Sequence, residues 1–217
     1  ARKLFKEIKL YNYEYNIPIK EVLEAYRNGL FPMAETAMSK EIYWIEPKNR
    51  GVFIFDKIKV SRNLKKFIKN KVFQIAIDKN FKAVIDGCSK ITSNRKDTWI
   101  NNTIKRLYIQ MYEAGHAHSV ECYLDNELVG GLYGIEIGGV FFGESMFSFV
   151  SNASKVALLH LLERLKFGKF KFLDTQFINN HLKSFGAIEL TNKEFKKILN
   201  KNIDRKAEFY RLSPKGL

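Results

Sequence analysis

Apolar positions recur every three or four residues over 19–28, 61–69, 81–90, 103–115 and 151–169, and on alternate positions in the stretches between them. The first pattern sets one face of a helix against a core; the second does the same for one face of a strand. The helix over 19–28 is closed by Gly29, which suits the left-handed position after a helix, and Pro32 prevents continuation. A strand is expected over 41–47. From Gly51 onward the pattern reads strand (51–55), helix (61–69), strand (73–77), helix (81–90, ending near Gly87) and helix (103–115, ending at Gly115). Three further strands over 118–124, 127–139 and 140–148 form a meander with a turn from Asp125 to Glu127. The best-marked helix follows. Ser151 or Asn152 is placed to cap its start, Gly168 stands at its exit, and Val156, Leu158, Leu159, Leu161, Leu162 and Leu165 form a stripe wide enough to lie on a sheet. A strand over 170–177 and a short helix over 181–186 come after it. The fold class expected is mixed α+β, with a small N-terminal lobe over residues 1–50 and a larger domain over 51–217.

A chain of 217 residues that is 46% apolar can bury a sizeable core. No apolar run approaches the roughly 20 residues that cross a bilayer, and no basic-then-apolar leader is visible, so no membrane partner is expected. Cys88 and Cys122 are too few and too far apart for a disulfide framework, which points to a reducing, cytoplasmic compartment. Charge changes the picture more. Thirty-seven Lys and Arg against 23 Asp and Glu give a formal +14, enough to attract a polyanion. Arg62, Lys65, Lys66 and Lys69 fall at helical spacing as one positive face, with Leu64, Phe67 and Ile68 turned inward. The face reads either as phosphate-binding or as ordinary solvated helix.

Candidate chemistry narrows to two stretches. His116, His118 and Cys122 share strand parity, but one face of one strand rarely supplies a whole ligand set and no CxxC or HExxH accompanies them, so no metal is expected. A GxxxxGK[ST] loop and a GxSxG elbow are missing. In the segment FLDTQFINNHLKSFGA, Asp174 and Gln176 lie two apart on an expected strand, on one face and roughly 6.6 Å apart along it, where an acid can orient an amide. Asn179 and His181 follow just past the strand end. The alternative is that Asp174 merely caps a neighbouring turn. In GVFFGESMFSFVSNASK a single carboxylate, Glu144, stands among Phe141, Phe142, Met146, Phe147 and Phe149. It is either a structural acid bonded to backbone amides or the receiver of an incoming cation.

These motifs, in their order, carry a resemblance: LEAYRNGLFPM, WIEPKNRGVF, SRNLKKF, DTWI, AGHAHSVE, LVGGLYGIEIGGVFFGESMFS, NASKVALLHL and LDTQFINNHLKSFGA. Over about residues 20 to 195 the chain resembles the leucyl/phenylalanyl-tRNA–protein transferases. The resemblance implies a larger C-terminal domain similar to the acetyltransferase (GNAT) fold, yet SNASKV stands where a coenzyme-A enzyme has its Q/RxxGxG/A loop. No cofactor is implied. The implied reaction transfers Leu, Phe or Met from aminoacyl-tRNA to proteins beginning with Arg or Lys, marking them for N-end rule degradation.

The resemblance also implies roles for individual residues. Asp174 and Gln176 match the catalytic acid–amide pair, and Asn179 a neighbouring polar position. Trp99 matches an aromatic that stacks on the terminal adenine. Met33 stands where the family often has a second aromatic. Leu132, Phe141, Met146, Leu158 and Leu165 match the walls of an apolar donor slot, Leu132 in place of a methionine. Glu144 is expected at the acceptor's amino terminus, and Arg62, Lys65, Lys66 and Lys69 at the tRNA phosphates. A monomer is expected. Two other readings compete: an RNA-binding protein without catalysis, and another GNAT-type transferase such as an acetyltransferase or a peptidoglycan aminoacyltransferase.

Overall fold

The computed structural model describes residues 5–11, 17–92 and 96–211, and for 5–11 the backbone alone. The remainder of the two expected domains, at 1–4, 12–16, 93–95 and 212–217, lies outside the described residues. Helix α1 (Ile19–Arg27) ends where Gly29 takes φ +81°, and strand β2 (Phe31–Met33) leaves from there. With β1 (Phe5–Tyr11) and β3 (Ile42–Pro47) it forms a three-stranded antiparallel sheet in the order β1-β3-β2. Only Lys48 separates β3 from β4 (Asn49–Phe53), which already belongs to a second, seven-stranded sheet.

That main sheet carries β5 (Gln74–Ile77), β6 (Ala117–Leu124), β7 (Glu127–Ile137), β8 (Val140–Ser148), β9 (Phe172–Asp174) and β10 (Ile188–Thr191), in the order β10-β4-β9-β8-β7-β6-β5. The meander β6-β7-β8 forms as expected, its first turn held by Asp125 and Asn126 at positive φ. Alternation along the strands feeds two apolar clusters. Tyr133, Ile135 and Phe142 join one with α3 (Phe81–Ser89) and α4 (Asn102–Glu113), while Leu132 and Phe141 join the other with α5 (Ala153–Phe167). The sheet is therefore covered on both faces.

Helix α2 (Arg62–Lys69) is capped by Ser61, whose Oγ accepts from Leu64 N at 3.3 Å. Leu64 is buried and Phe67 half-buried, but Ile68 is 37% exposed and does not turn inward as expected. An eight-residue helix packed along one edge has room inward for about two apolar side chains. Neither expected cap of α5 acts as one. Asn152 sits at the N-cap with φ 71° and makes no capping bond; Ser148 Oγ accepts Ser154 N at 3.1 Å instead. After β9, α6 (Asn180–Ser184) and α7 (Asn192–Asn202) flank β10, and Thr191 with Glu194 forms a capping box on α7. The chain returns through Phe209 and Tyr210 to His118, whose ring stacks on Phe209 at 4.0 Å and meets Asp78 Oδ2 through Nδ1 at 2.8 Å.

Candidate active site

Strands β8 and β9 run parallel, unlike the other paired strands described, and pair only as far as Phe142↔Asp174. β9 ends there while β8 continues to Ser148, which opens the sheet at the carboxyl ends of the pair. A cavity of about 250 Å³ occupies the opening. Its apolar wall is Leu132, Met146, Leu158, Leu161, Leu173 and Leu182, and Glu144, Gln176, Asn179 and His181 supply polar groups. Pockets for drug-sized molecules run from about 300 to 1,000 Å³, so this one suits a single side chain rather than a large cofactor.

Glu144 reaches the site through an irregularity of the strand. Tyr133 pairs with Ser145 and Gly134 with Gly143, leaving Glu144 as the extra residue of a β-bulge. Its carboxylate accepts from the hydroxyls of Tyr26 and Tyr108, both at 2.7 Å, and from Gln176 Nε2 at 3.2 Å. These three partners are neutral. Burial raises the Glu144 pKa to about 7; the two tyrosine hydroxyls and Arg50 hold it down against that, and the nearby Asp174 charge pushes it up. The same burial, with Glu144's charge alongside, drives the Tyr26 and Tyr108 hydroxyls well above their usual range, so both stay protonated donors. Among the described residues, Glu144 is thus neither bonded to backbone amides nor ion-paired with a cation of its own.

Asp174 has the opposite surroundings. Arg50 grips it from Nε at 2.9 and 3.1 Å and from Nη2 at 2.6 Å, with both side chains almost wholly buried. Arg50 Nη1 donates to Gly29 O at 2.9 Å, and the guanidinium lies 5.0 Å from the Phe31 ring and 4.5 Å from Phe195. The left-handed Gly29 thus closes α1 and turns its carbonyl toward this arginine.

The expectation that Asp174 and Gln176 share one face of a strand does not hold. The strand stops at Asp174, and Gln176 takes φ +54°. Asp174 Oδ1 accepts the backbone N–H of Gln176 at 2.9 Å and so fixes its main chain, while the side-chain amide turns to Glu144. The loop is drawn in by Gly51, whose N–H donates to Gln176 O at 3.1 Å. A Cβ at Gly51 would lie 2.6 Å from Thr175 Oγ1, which leaves glycine as the fitting residue. Asn179 caps α6, its Oδ1 accepting Leu182 N at 2.8 Å.

The other expected residues divide. Leu132, Met146 and Leu158 line the cavity; Phe141 and Leu165 are fully buried in the same cluster but do not reach its surface. Trp99 and Met33 are both half-buried and lie outside the cavity lining, yet their segments are joined by Ala34 N donating to Trp99 O at 3.3 Å. Arg62, Lys65, Lys66 and Lys69 are all exposed on α2. His116 precedes β6, His118 is held by Asp78, and burial lifts the Cys122 thiol to about 12; no metal-binding cluster occurs among the described residues.

Sequence reasoning missed Arg50, Tyr26, Tyr108, Leu161, Leu173 and Leu182. Parity along β4 was the available signal for Arg50, a basic residue inside a strand whose next three positions are buried. Tyr26 lies four residues after Val22, on the same buried side of α1.

Known proteins share this chain's pattern over most of its length. The family model for leucyl/phenylalanyl-tRNA protein transferase matches residues 52–200, and the model for that family's N-terminal domain matches residues 16–48. A leucyl/phenylalanyl-tRNA–protein transferase of Zymomonas mobilis is 52% identical over 178 residues, covering 82% of this chain and 66% of the relative, just under two thirds of its length. Proteins of the same name from Rhodopseudomonas palustris (47% over 191 residues, 88% and 83%) and Rhizorhabdus wittichii (48% over 179 residues, 82% and 72%) are similar to comparable extents.

Proposed function

The chain belongs to the leucyl/phenylalanyl-tRNA protein transferase family, and on that premise we propose that it moves Leu, Phe or Met from aminoacyl-tRNA to an acceptor protein beginning with Arg or Lys. The observation that carries this reading is a leucine-lined slot sized for one side chain, with a buried carboxylate held by two tyrosine hydroxyls among its polar groups. The slot takes the unbranched-at-Cβ donor side chain, with Leu132, Met146 and Leu158 as walls and Phe141 and Leu165 backing them. The aminoacyl ester is already activated, so the reaction needs orientation and charge stabilisation rather than a nucleotide or a metal.

Glu144 receives the acceptor's first residue, whose basic side chain is the cation it selects and whose α-amine it meets. A free α-amine has a pKa of about 7.7–8.0, close to the Glu144 value of about 7. A proton therefore passes between them at little cost. The neutral amine nitrogen then attacks the ester carbonyl, the bond to the ribose oxygen breaks, that oxygen takes up the proton the attacking nitrogen loses, and the proton held by Glu144 is released to solvent. Gln176, fixed through its backbone by Asp174 and through its amide by Glu144, holds the attacking nitrogen. Asn179 keeps its Nδ2 for the oxyanion while its Oδ1 caps α6. Trp99, with Met33, covers the terminal adenine, and the exposed face of Arg62, Lys65, Lys66 and Lys69 meets phosphates without reading sequence. Residues 1–50 act as a lobe that contributes Tyr26 and Phe31, and residues 51–217 as an acyltransferase of GNAT-like form, a reading supported by the splayed parallel pair β8-β9.

Incubation with Leu-tRNA and a peptide beginning with Arg tests the reading: a Leu-Arg peptide is expected, and its absence overturns it. Asp174→Ala should lower turnover far more than it weakens tRNA binding; unchanged turnover would remove Asp174 from the mechanism.

A further inference from the structure

A second cavity, of about 550 Å³, adjoins the first through His181, which lines both. It lies between the start of α2, the start of α5 and helix α6. Its floor is apolar and aromatic (Leu64, Phe67 and Phe185), and two lysines, Lys59 and Lys155, stand in its lining. Lys59 is exposed, while Lys155 is half-buried and held over the start of α5 by a hydrogen bond from Nζ to Asn152 Oδ1 at 3.1 Å. The left-handed backbone at Asn152 explains why that carboxamide is free for the lysine: it makes no capping bond to its helix. No carboxylate is among the described residues lining this cavity, whereas Glu144 lines the first.

Chemistry decides between the two substrates of the proposed reaction. An acceptor that begins with Arg or Lys brings positive charge and has no counter-charge here. A single-stranded nucleotide brings a phosphate for the lysines and a flat base for Phe67 and Phe185, the combination with which single strands are generally held. His181 suits the junction. Its edge meets the Phe185 ring at 5.2 Å, and burial together with the Lys155 charge lowers its pKa, so it faces the strand as a neutral hydrogen-bonding ring.

We propose that this second cavity binds the unpaired nucleotide preceding the aminoacylated adenosine of the donor, its phosphate on Lys59 and Lys155 and its base over Phe67 and Phe185. The inference rests on the aminoacyl-tRNA reading above. It divides the donor site between a slot for the amino acid and a basic cleft for the strand.

The test uses two short donors, phenylalanine esterified to adenosine alone and phenylalanine esterified to a trinucleotide ending in the same adenosine, with an Arg-initiated peptide as acceptor. In the unaltered protein the trinucleotide should be preferred by tenfold or more in kcat/KM. In Lys59→Glu and Lys155→Glu, singly and together, that ratio should fall toward one while the adenosine donor is used at its original rate. Both lysines retain solvent access, and unchanged thermal melting of the variants certifies the fold. Lys59→Gln and Lys155→Gln provide milder versions with an intermediate loss. A ratio that stays high in the variants, or that is already one in the unaltered protein, overturns the proposal. So does a rise in KM for the peptide in place of the donor, which would make the cleft an acceptor site. Failure of the unaltered protein to use either short donor or full Phe-tRNA would instead overturn the underlying reading.

Discussion

The corner around Asp174 and the wall around Glu144 hold two buried carboxylates by opposite means. Asp174 has a guanidinium of its own, bonded at three distances between 2.6 and 3.1 Å. Glu144 has two phenols and an amide, all neutral. A buried charge with a fixed counter-ion is finished structure. One held only by neutral donors is solvated enough to survive and still attracts a cation. The difference separates a group that builds the loop at Gln176 from a group positioned to receive an acceptor.

The largest effect should come from removing the counter-ion that Asp174 owns. Arg50→Met leaves a buried carboxylate unpaired, a change that typically costs about 3–5 kcal/mol, and urea unfolding should record it together with loss of activity. Replacing both partners with apolar residues should recover most of that stability without recovering activity. An Arg50→Met protein as stable as its parent would break the contrast.

Glu144 should show itself through pH. Its folded pKa of about 7 lies above the ordinary 4.5, so between those values the folded state holds more protons than the unfolded one. Stability contributed at this position is therefore present at low pH and lost as pH rises through about 7. The shift corresponds to about 3 kcal/mol at most. Glu144→Gln should flatten that part of the stability profile and abolish preference for Arg over Ala at the first residue of the peptide. A retained preference would move Glu144 from the acceptor site to the framework.

Tyr108→Phe should have the smallest effect of the three. It removes one hydrogen bond to a charged group, about 1.5–3 kcal/mol, and leaves Tyr26 in place. With one donor fewer the Glu144 pKa rises, so the acid limb of the activity profile should move to higher pH. An unmoved limb would mean that a different group sets it.

Much of this was legible in the sequence. Periodicity located α1 to α6 and the β6-β7-β8 meander because each satisfies a local pattern of burial, whereas α7 went unread. The site was legible as a set of motifs but not as a set of contacts. The bulge that turns Glu144 toward Tyr26 and Tyr108 adds one residue to a strand whose alternation otherwise continues, so parity gives no warning of it. Arg50 meets Asp174 across 124 residues of chain, and nothing in the spacing of either segment names the other. Gln176 lies just past the point at which strand parity stops applying, and its carbonyl is held by Gly51 from a different strand. Phe141 and Leu165 belong to the right cluster, but which side of a layer meets empty space is decided by packing.

The Arg50–Asp174 pair also sets an order of events during synthesis. Arg50 leaves the ribosome early and commits to a position between Phe31 and Phe195, yet its carboxylate is made 124 residues later and Phe195 later still. Nascent chains cut short before residue 174 hold the arginine and both tyrosines but have nothing to anchor the Gln176 loop. Closure across so long a separation is slow relative to the local meander. Activity should therefore appear only after residue 195 has left the ribosome, in a single late step, and products cut short before residue 174 should be inert.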